Sequence, residues 1–241
     1  MKLRLMICAA AASTALFATE DANSATYAVM NVTNAYTDTI VAVPWVGLDG
    51  TAITISNLVN TTTLSAGDKL YMYDNGTWYE YTKSAAGIWT GAETITPTGS
   101  HTAESQVVQR GTGLVLQRKV SGAGGTVLLA GRVDSGTITT TIATGKTLFA
   151  NPTATAVDIN TSGKFADATD GDTISIPLNN GGSDVYTYDG TKSEWGKMTL
   201  TETTSANGRK RKQNQWSKCG SIPAGTGAWY ETTGSGYTVT W

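Results

Sequence analysis

The chain reads Gly67-Asp68-Lys69-Leu70-Tyr71-Met72-Tyr73-Asp74, then Trp78, and then Gly111-Thr112-Gly113-Leu114. The same order returns as Gly171-Asp172-Thr173-Ile174, Tyr186-Thr187-Tyr188-Asp189, Trp195 and Gly225-Thr226-Gly227-Ala228. The first glycines of the two copies are 104 residues apart, a repeat too long for a solenoid unit and long enough for a small domain. We therefore expect two homologous modules in tandem, at residues 26–130 and 131–241.

Short strands separated by Gly and Asn turns recur within each copy. Asn-Gly takes the positive φ of a tight turn, so Asp74-Asn75-Gly76 predicts a hairpin. Its second strand, Thr77 to Thr82, places Trp78 and Glu80 on one face and Tyr79 and Tyr81 on the other. One helical turn is expected, with Ser56 as its cap. The predicted fold class is all-β, with two β-sandwich or barrel-like modules and little helix after the signal peptide.

Residues 1–25 have the layout of a secretory signal peptide. Lys2 and Arg4 form a basic start, an apolar stretch follows to Ala18, and small residues lead to a cleavage site after Ala25 or, alternatively, after Ala18. Cleavage after Ala25 removes two basic and two acidic residues and leaves the net charge at −2. This predicts a protein secreted to a bacterial cell surface or periplasm, without a membrane segment after cleavage and without nucleic acid as a partner.

Catalytic chemistry finds little support in the sequence. His101 is the only histidine and has no nucleophile motif beside it, and one histidine with one cysteine is too few ligands for zinc. Asp167, Asp170 and Asp172 are weak candidates for a calcium site made of hard oxygen ligands. The prediction is a protein that is not an enzyme and has no catalytic residues or cofactor, with calcium left open.

Cysteine usage and one run of charge give two further hypotheses. Cys219 is the only cysteine after the leader, so its thiol is either buried and inert or forms a disulfide with another chain. Arg209 to Lys212 is a run of four cations between Ser205 and Cys219, and it predicts a solvated loop. Contact with an anionic polymer and a protease-sensitive site are the alternatives for this run.

Aromatic residues are the remaining lead to a ligand. Trp and Tyr side chains can stack on sugar rings, but aromatics that recur in two copies are also expected in a shared core. The candidates for ligand binding are Trp78, Trp195, Trp229 and Tyr230.

The repeated order of Gly-Asp, Tyr-x-Tyr, Trp and Gly-Thr-Gly resembles uncharacterised secreted bacterial proteins with two tandem β modules. The resemblance implies export and a β fold, and brings no activity or site residues. The predicted function is an exported, non-enzymatic structural or adhesion protein of the surface or extracellular matrix, whose partners are its own copies or other surface proteins. The alternative is a pair of carbohydrate-binding modules with polysaccharide as partner. Weaker alternatives are a glycoside hydrolase and an outer-membrane barrel, the latter because the chain closes on Tyr237-x-Val239-x-Trp241.

Overall fold

The chain is mostly β-strand in a computed structural model, as the sequence predicts. The structure describes residues 6–7, 13–18, 27–34, 38–43, 46, 51–58, 64–74, 76–94, 102–117, 119, 125–132, 136–153, 155–178, 182–204, 207 and 210–241. Within these ranges there is one short helix, α1 (Ile55–Leu58), and no helix is long and apolar enough to cross a membrane. The helix begins at Ile55, so Ser56, which the sequence predicted as its cap, lies inside it. The Thr54 amide, just before the helix, donates a 2.7 Å hydrogen bond to Asn57 Oδ1, as in a capping box.

The first sheet has five antiparallel strands in the order β4-β8-β5-β6-β7. The hairpin predicted at Asp74 to Gly76 joins β5 to β6, with Asp74 opposite Thr77 and Gly76 at φ +82°. The strands are β4 (Asp38–Ala42), β5 (Lys69–Asp74), β6 (Thr77–Lys83), β7 (Trp89–Thr94) and β8 (Gly113–Gln117).

The second sheet has six antiparallel strands in the order β11-β18-β13-β14-β15-β16, which is the order of the first sheet plus one strand. Two small sheets pair β10 with β19 and β12 with β17. The strands are β10 (Thr139–Ile142), β11 (Gly145–Ala150), β12 (Val157–Asp158), β13 (Thr173–Pro177), β14 (Ser183–Asp189), β15 (Glu194–Thr204), β16 (Lys210–Lys218), β17 (Ser221–Ile222), β18 (Gly227–Thr232) and β19 (Tyr237–Thr240).

Each large sheet buries one face in its own apolar cluster. In the first sheet, Leu70 and Tyr81 lie opposite each other on this face and are almost fully buried. In the second, Ile174 and Tyr186 occupy the same relation on β13 and β14. Alternate residues of each strand therefore face the core, and the others form an outer face. The alternation predicted for β6 is confirmed, because Tyr79 and Tyr81 pack on the core side.

Equivalent hydrogen bonds recur at the start of β5 and β13. The carboxylates of Asp68 and Asp172 accept hydrogen bonds from the backbone amides of Ser65 and Thr169, at 2.7 and 2.9 Å. The backbone carbonyl oxygens of these aspartates accept hydrogen bonds from the backbone amides of Lys83 and Tyr188, both at 2.8 Å. Lys83 on β6 thus corresponds to Tyr188 on β14.

This correspondence corrects the alignment of aromatics made from the sequence. Trp89 lies opposite Lys83, and Trp195 lies opposite Tyr188. Trp89 and Trp195 are each 1% exposed. The structural counterpart of Trp195 is therefore Trp89 and not Trp78, because the second Tyr-x-Tyr-Asp lies one strand later in its sheet than the first.

Three of the four cations of the basic run, Lys210 to Lys212, do not lie in the loop that the sequence predicted, and Arg209 lies outside the described residues. Lys210 to Lys218 form β16, which pairs with β15 over nine positions. Lys210 Nζ lies 2.6 Å from a Glu202 carboxylate oxygen across the two strands. An edge strand tolerates such a run, because charged side chains on an edge stay in water and discourage pairing with other chains.

A further antiparallel sheet has the order β1-β2-β3-β9, built from Met6–Ile7, Ser13–Ala18, Tyr27–Asn34 and Gly125–Arg132. Its first two strands fall within the predicted signal peptide. The predicted boundary between residues 130 and 131 falls inside β9, two residues before the end of that strand.

Candidate functional site

Three aromatic side chains from opposite halves of the chain meet on the outer faces of the two large sheets. The Trp229 ring centroid lies 5.5 Å from that of Trp78 and 5.4 Å from that of Tyr73. Tyr73 and Trp78 are 5.1 Å apart. All three side chains are half-buried. We call these three residues the aromatic corner.

Strand register explains why the rings point to the same place. Tyr73 and Trp78 lie opposite each other next to the β5–β6 turn, on the face away from the core residues Met72 and Tyr81. Trp229 precedes the buried Tyr230 and lies opposite Ser175, so it also points away from its core. The hairpin end of the first sheet therefore lies against the outer face of the second.

Polar side chains complete a groove of about 530 Å³ around the corner. Lys146 and Glu231 lie at its rim, with 3.7 Å between the ammonium nitrogen and a carboxylate oxygen, and both are more than half exposed. The rest of the lining combines hydroxyl groups with one apolar side chain, namely Thr173, Ser175, Ser183 and Val185.

The rings are inclined to one another, at 66° between Trp78 and Trp229 and 61° between Tyr73 and Trp78. They therefore form an angular surface and not a coplanar strip. Such a corner can hold one flat, partly apolar ring, while the hydroxyl, ammonium and carboxylate groups beside it hydrogen-bond to polar substituents.

A second groove, of about 730 Å³, adjoins the first and shares Tyr73 and Lys146 with it. Its lining is rich in threonine, from Thr139 to Thr141 and at Thr144 and Thr147, and Asp74 is the one carboxylate among its described residues. The two grooves together form a polar surface around the β5–β6 hairpin.

The other two aromatic candidates belong to the core. Trp195 is 1% exposed and Tyr230 is fully buried, with their ring centroids 5.7 Å apart. The Tyr230 hydroxyl donates a 2.7 Å hydrogen bond to Asp172 Oδ2, and burial raises the pKa of this tyrosine. These two residues thus stabilise the second sheet and present no face to a ligand.

The three calcium candidates are not brought together. Asp172 is buried and serves Thr169 and Tyr230, while Asp170 accepts a 2.7 Å hydrogen bond from the Gly190 amide. Across the described ranges, no three His, Cys, Asp or Glu side chains are placed to hold a metal ion. His101 lies outside the described residues.

Cys219 lies in the apolar cluster of the second sheet and is 5% exposed. Its amide donates a 2.8 Å hydrogen bond to the Trp195 carbonyl, which fixes it beside that ring. Burial raises the pKa of the thiol to about 12. This position keeps the thiol in its protonated, less reactive form.

Sequence reasoning identified two of the three corner residues but missed Tyr73 and the rim pair Lys146 and Glu231. Tyr73 had an available signal, because it lies directly across the predicted hairpin from Trp78. No pattern in the sequence pointed to Lys146 and Glu231, since only the pairing of β11 with β18 places them together.

No protein-family model, curated protein or solved structure matches the chain. The function is therefore argued from the geometry of the aromatic corner and its surroundings.

Proposed function

We propose that the protein is an exported, non-enzymatic protein of the cell surface or extracellular matrix, and that it adheres to polysaccharide through the aromatic corner. The observation that carries this proposal is the contact between Trp78 and Trp229, 5.5 Å apart and half-buried beside a groove lined by hydroxyl groups. Sugar rings offer apolar faces to aromatic side chains and hydroxyl groups to polar ones, so a surface with both features suits them.

A binding role is favoured over hydrolysis by the distribution of carboxylates. Glycoside hydrolysis uses two carboxyl groups on either side of the scissile bond. Among the described residues, Glu231 is the one carboxylate lining the groove at the corner and Asp74 the one lining the adjoining groove, and the negative charge of Glu231 lies next to Lys146. A single rim carboxylate can orient a sugar hydroxyl, but it does not supply an acid and a base together.

We also infer that the two halves arose as copies of one module. Supporting observations are the shared strand order and the paired hydrogen bonds of Asp68 and Asp172. Under this proposal the aromatic corner is formed between the two copies, because Trp78 comes from one and Trp229 from the other.

The test is retention on a panel of immobilised polysaccharides, followed by titration of the best ligand by calorimetry. Trp229→Ala and Trp78→Ala should each weaken binding by about tenfold or more, as expected for a central aromatic contact. Ile88→Ala is the control, because Ile88 is an apolar side chain that is 55% exposed and lines neither groove. Equal binding by all three variants would exclude the corner as the ligand site.

A structural, self-associating role is the second candidate. It is favoured by the outer edge of β7, which pairs with no strand in the described part of the chain. Open edges can accept a strand from another copy. Light scattering on residues 26–241 tests this role: a large assembly supports it, and a monomer of about 23 kDa, from roughly 216 residues, counts against it.

A further inference from the structure

The outer face of the second sheet continues from the aromatic corner to the far edge of the molecule. Trp229 lies opposite Ser175 on β13, and Ser175 lies opposite Val185 on β14. Two residues further along β14, Thr187 lies opposite Gly196 on β15. Paired residues of an antiparallel sheet share a face, so these residues and the corner belong to one surface.

This surface carries apolar side chains that the fold leaves in water. Val185 is 48% exposed, Met198 59% and Leu200 61%. Met198 and Leu200 follow Gly196 at alternate positions of β15 and therefore lie on the same face as Val185. They extend the apolar surface of the corner across the sheet, over about 19 Å from β18 to β16 at the usual strand spacing.

Cations border the far end of this surface. By the register of β16 with β15, Lys210, Lys212 and Lys218 share the face of Met198 and Leu200, while Arg211 lies on the opposite face. All four side chains are exposed. Trp216 also lies on the face of Met198 and Leu200. Its ring packs against Gly196 and is covered by Lys192, whose ammonium nitrogen is 4.3 Å from the ring centroid.

Charge in this region opposes that of the rest of the protein. Strands β15 and β16 together hold five basic and two acidic residues, a net charge of +3, to which the outer face contributes +1 through Lys210, Lys212, Lys218, Glu194 and Glu202. The whole chain is −2, so the remainder sums to −5. Positive charge is thus concentrated on one two-stranded ribbon, and part of it is neutralised by the ion pairs of Lys210 with Glu202 and Lys218 with Glu194.

We propose that the outer face from the aromatic corner to the β15–β16 ribbon is one continuous track for an acidic polysaccharide. The inference rests on the proposed function and names its ligand class. Sugar rings contact the corner, Val185, Met198 and Leu200, while carboxylate or sulfate groups pair with Lys212 and its neighbours. A polysaccharide is favoured over nucleic acid because the exposed apolar side chains Val185, Met198 and Leu200 separate the corner from the cations.

The test compares two forms of one polymer, polygalacturonate and its fully methyl-esterified form, which share a backbone and differ in charge. The full chain should bind the acidic form about tenfold more tightly, and the difference should shrink as salt rises from about 0.05 to about 0.5 M. Lys212→Gln should weaken binding of the acidic form about fivefold. Arg211→Gln removes the same charge from the adjacent residue on the other face and should change binding less than twofold.

Each contrary outcome has a distinct meaning. Equal losses in Lys212→Gln and Arg211→Gln, or equal binding of the two polymer forms, would overturn the track while leaving a Trp229-dependent corner intact. Tighter binding of a DNA duplex than of polygalacturonate would overturn the choice of ligand class. Leu200→Asn, with an unchanged unfolding curve, should weaken binding of both polymer forms, because they share the sugar rings that Leu200 contacts; unchanged binding of both would overturn a track that includes the sheet face. Failure of every polysaccharide on the panel would refute the proposed function together with this inference.

Discussion

The backbone amide of Ala42 lies 3.0 Å from the carbonyl oxygen of Gly225 and donates a hydrogen bond to it. The reciprocal bond joins the Ala150 amide to the Gly111 carbonyl at 2.9 Å. Each Gly-Thr-Gly segment therefore contacts the edge strand of the other sheet, with Val41 opposite Thr226 and Thr112 opposite Phe149. This exchange holds the two sheets together and positions the β5–β6 hairpin beside Trp229.

Gly227→Ala should destabilise the protein by about 1–3 kcal/mol, as expected for overpacking of a tight contact. A Cβ at this position would lie 2.7 Å from the Phe149 carbonyl oxygen and would collide with Ile40. Urea unfolding followed by tryptophan fluorescence measures the loss. Gly220→Ala is the control, because a Cβ there meets no atom within 4 Å and should leave stability nearly unchanged. Equal stability of both variants would show that the contact of Gly227 with Ile40 and Phe149 is looser than in the structure.

Trp89→Phe and Trp195→Phe should lower the free energy of unfolding by similar amounts, about 1–3 kcal/mol each. Both rings are buried at equivalent positions of their sheets, opposite Lys83 and Tyr188. Trp78→Phe should cost less, because Trp78 is half-buried at the corner. Thermal unfolding by circular dichroism ranks the three variants. A larger loss for Trp78 than for Trp89 would contradict the structural alignment and favour the one made from sequence.

Stability should fall steeply in alkaline solution. Burial raises the pKa of both Tyr186 and Cys219 to about 12, and it also raises the pKa of Tyr81, Tyr230 and Tyr237. These groups hold their protons in the folded state after the unfolded chain has released them. Their contribution is therefore complete below the unfolded values, near pH 8.5–10, and is lost as pH rises towards about 12.

Urea unfolding between pH 8 and pH 11 measures this loss, and absorbance of the tyrosinate form reports which hydroxyls ionise. The buried tyrosines should ionise together with unfolding, whereas exposed ones should ionise earlier. A stability that stays level throughout this range would contradict the burial of these hydroxyls.

The Cys219 thiol should react with a disulfide reagent at least tenfold more slowly in the native protein than in urea, since the thiolate is the reactive form and burial disfavours it. Reductant should not change the mass of the protein measured by light scattering. A reductant-sensitive dimer would support the alternative predicted from sequence, a disulfide between chains.

Much of the local structure was predictable from particular residues. The Asn-Gly turn at Asn75 and Gly76 predicted the β5–β6 hairpin, because glycine accepts the positive φ that the turn needs. The position of Lys210 to Lys212 was misjudged for a physical reason: adjacent cations favour water, but an edge strand also exposes them to water, so charge alone does not separate a loop from β16.

The sequence by itself determined that the chain is mostly β, since strand alternation and turn chemistry act over a few residues. It also indicated Trp78 and Trp229 as candidates for ligand binding, but did not separate them from Trp195 and Tyr230 or from core residues. Only the tertiary structure decided that these two rings meet, that Trp195 and Tyr230 are core residues, and that Lys212 shares a surface with Leu200. Those relationships depend on which strands pair and in which register. That choice is made by contacts between residues far apart in the chain, here through the reciprocal bonds of Gly111 and Gly225.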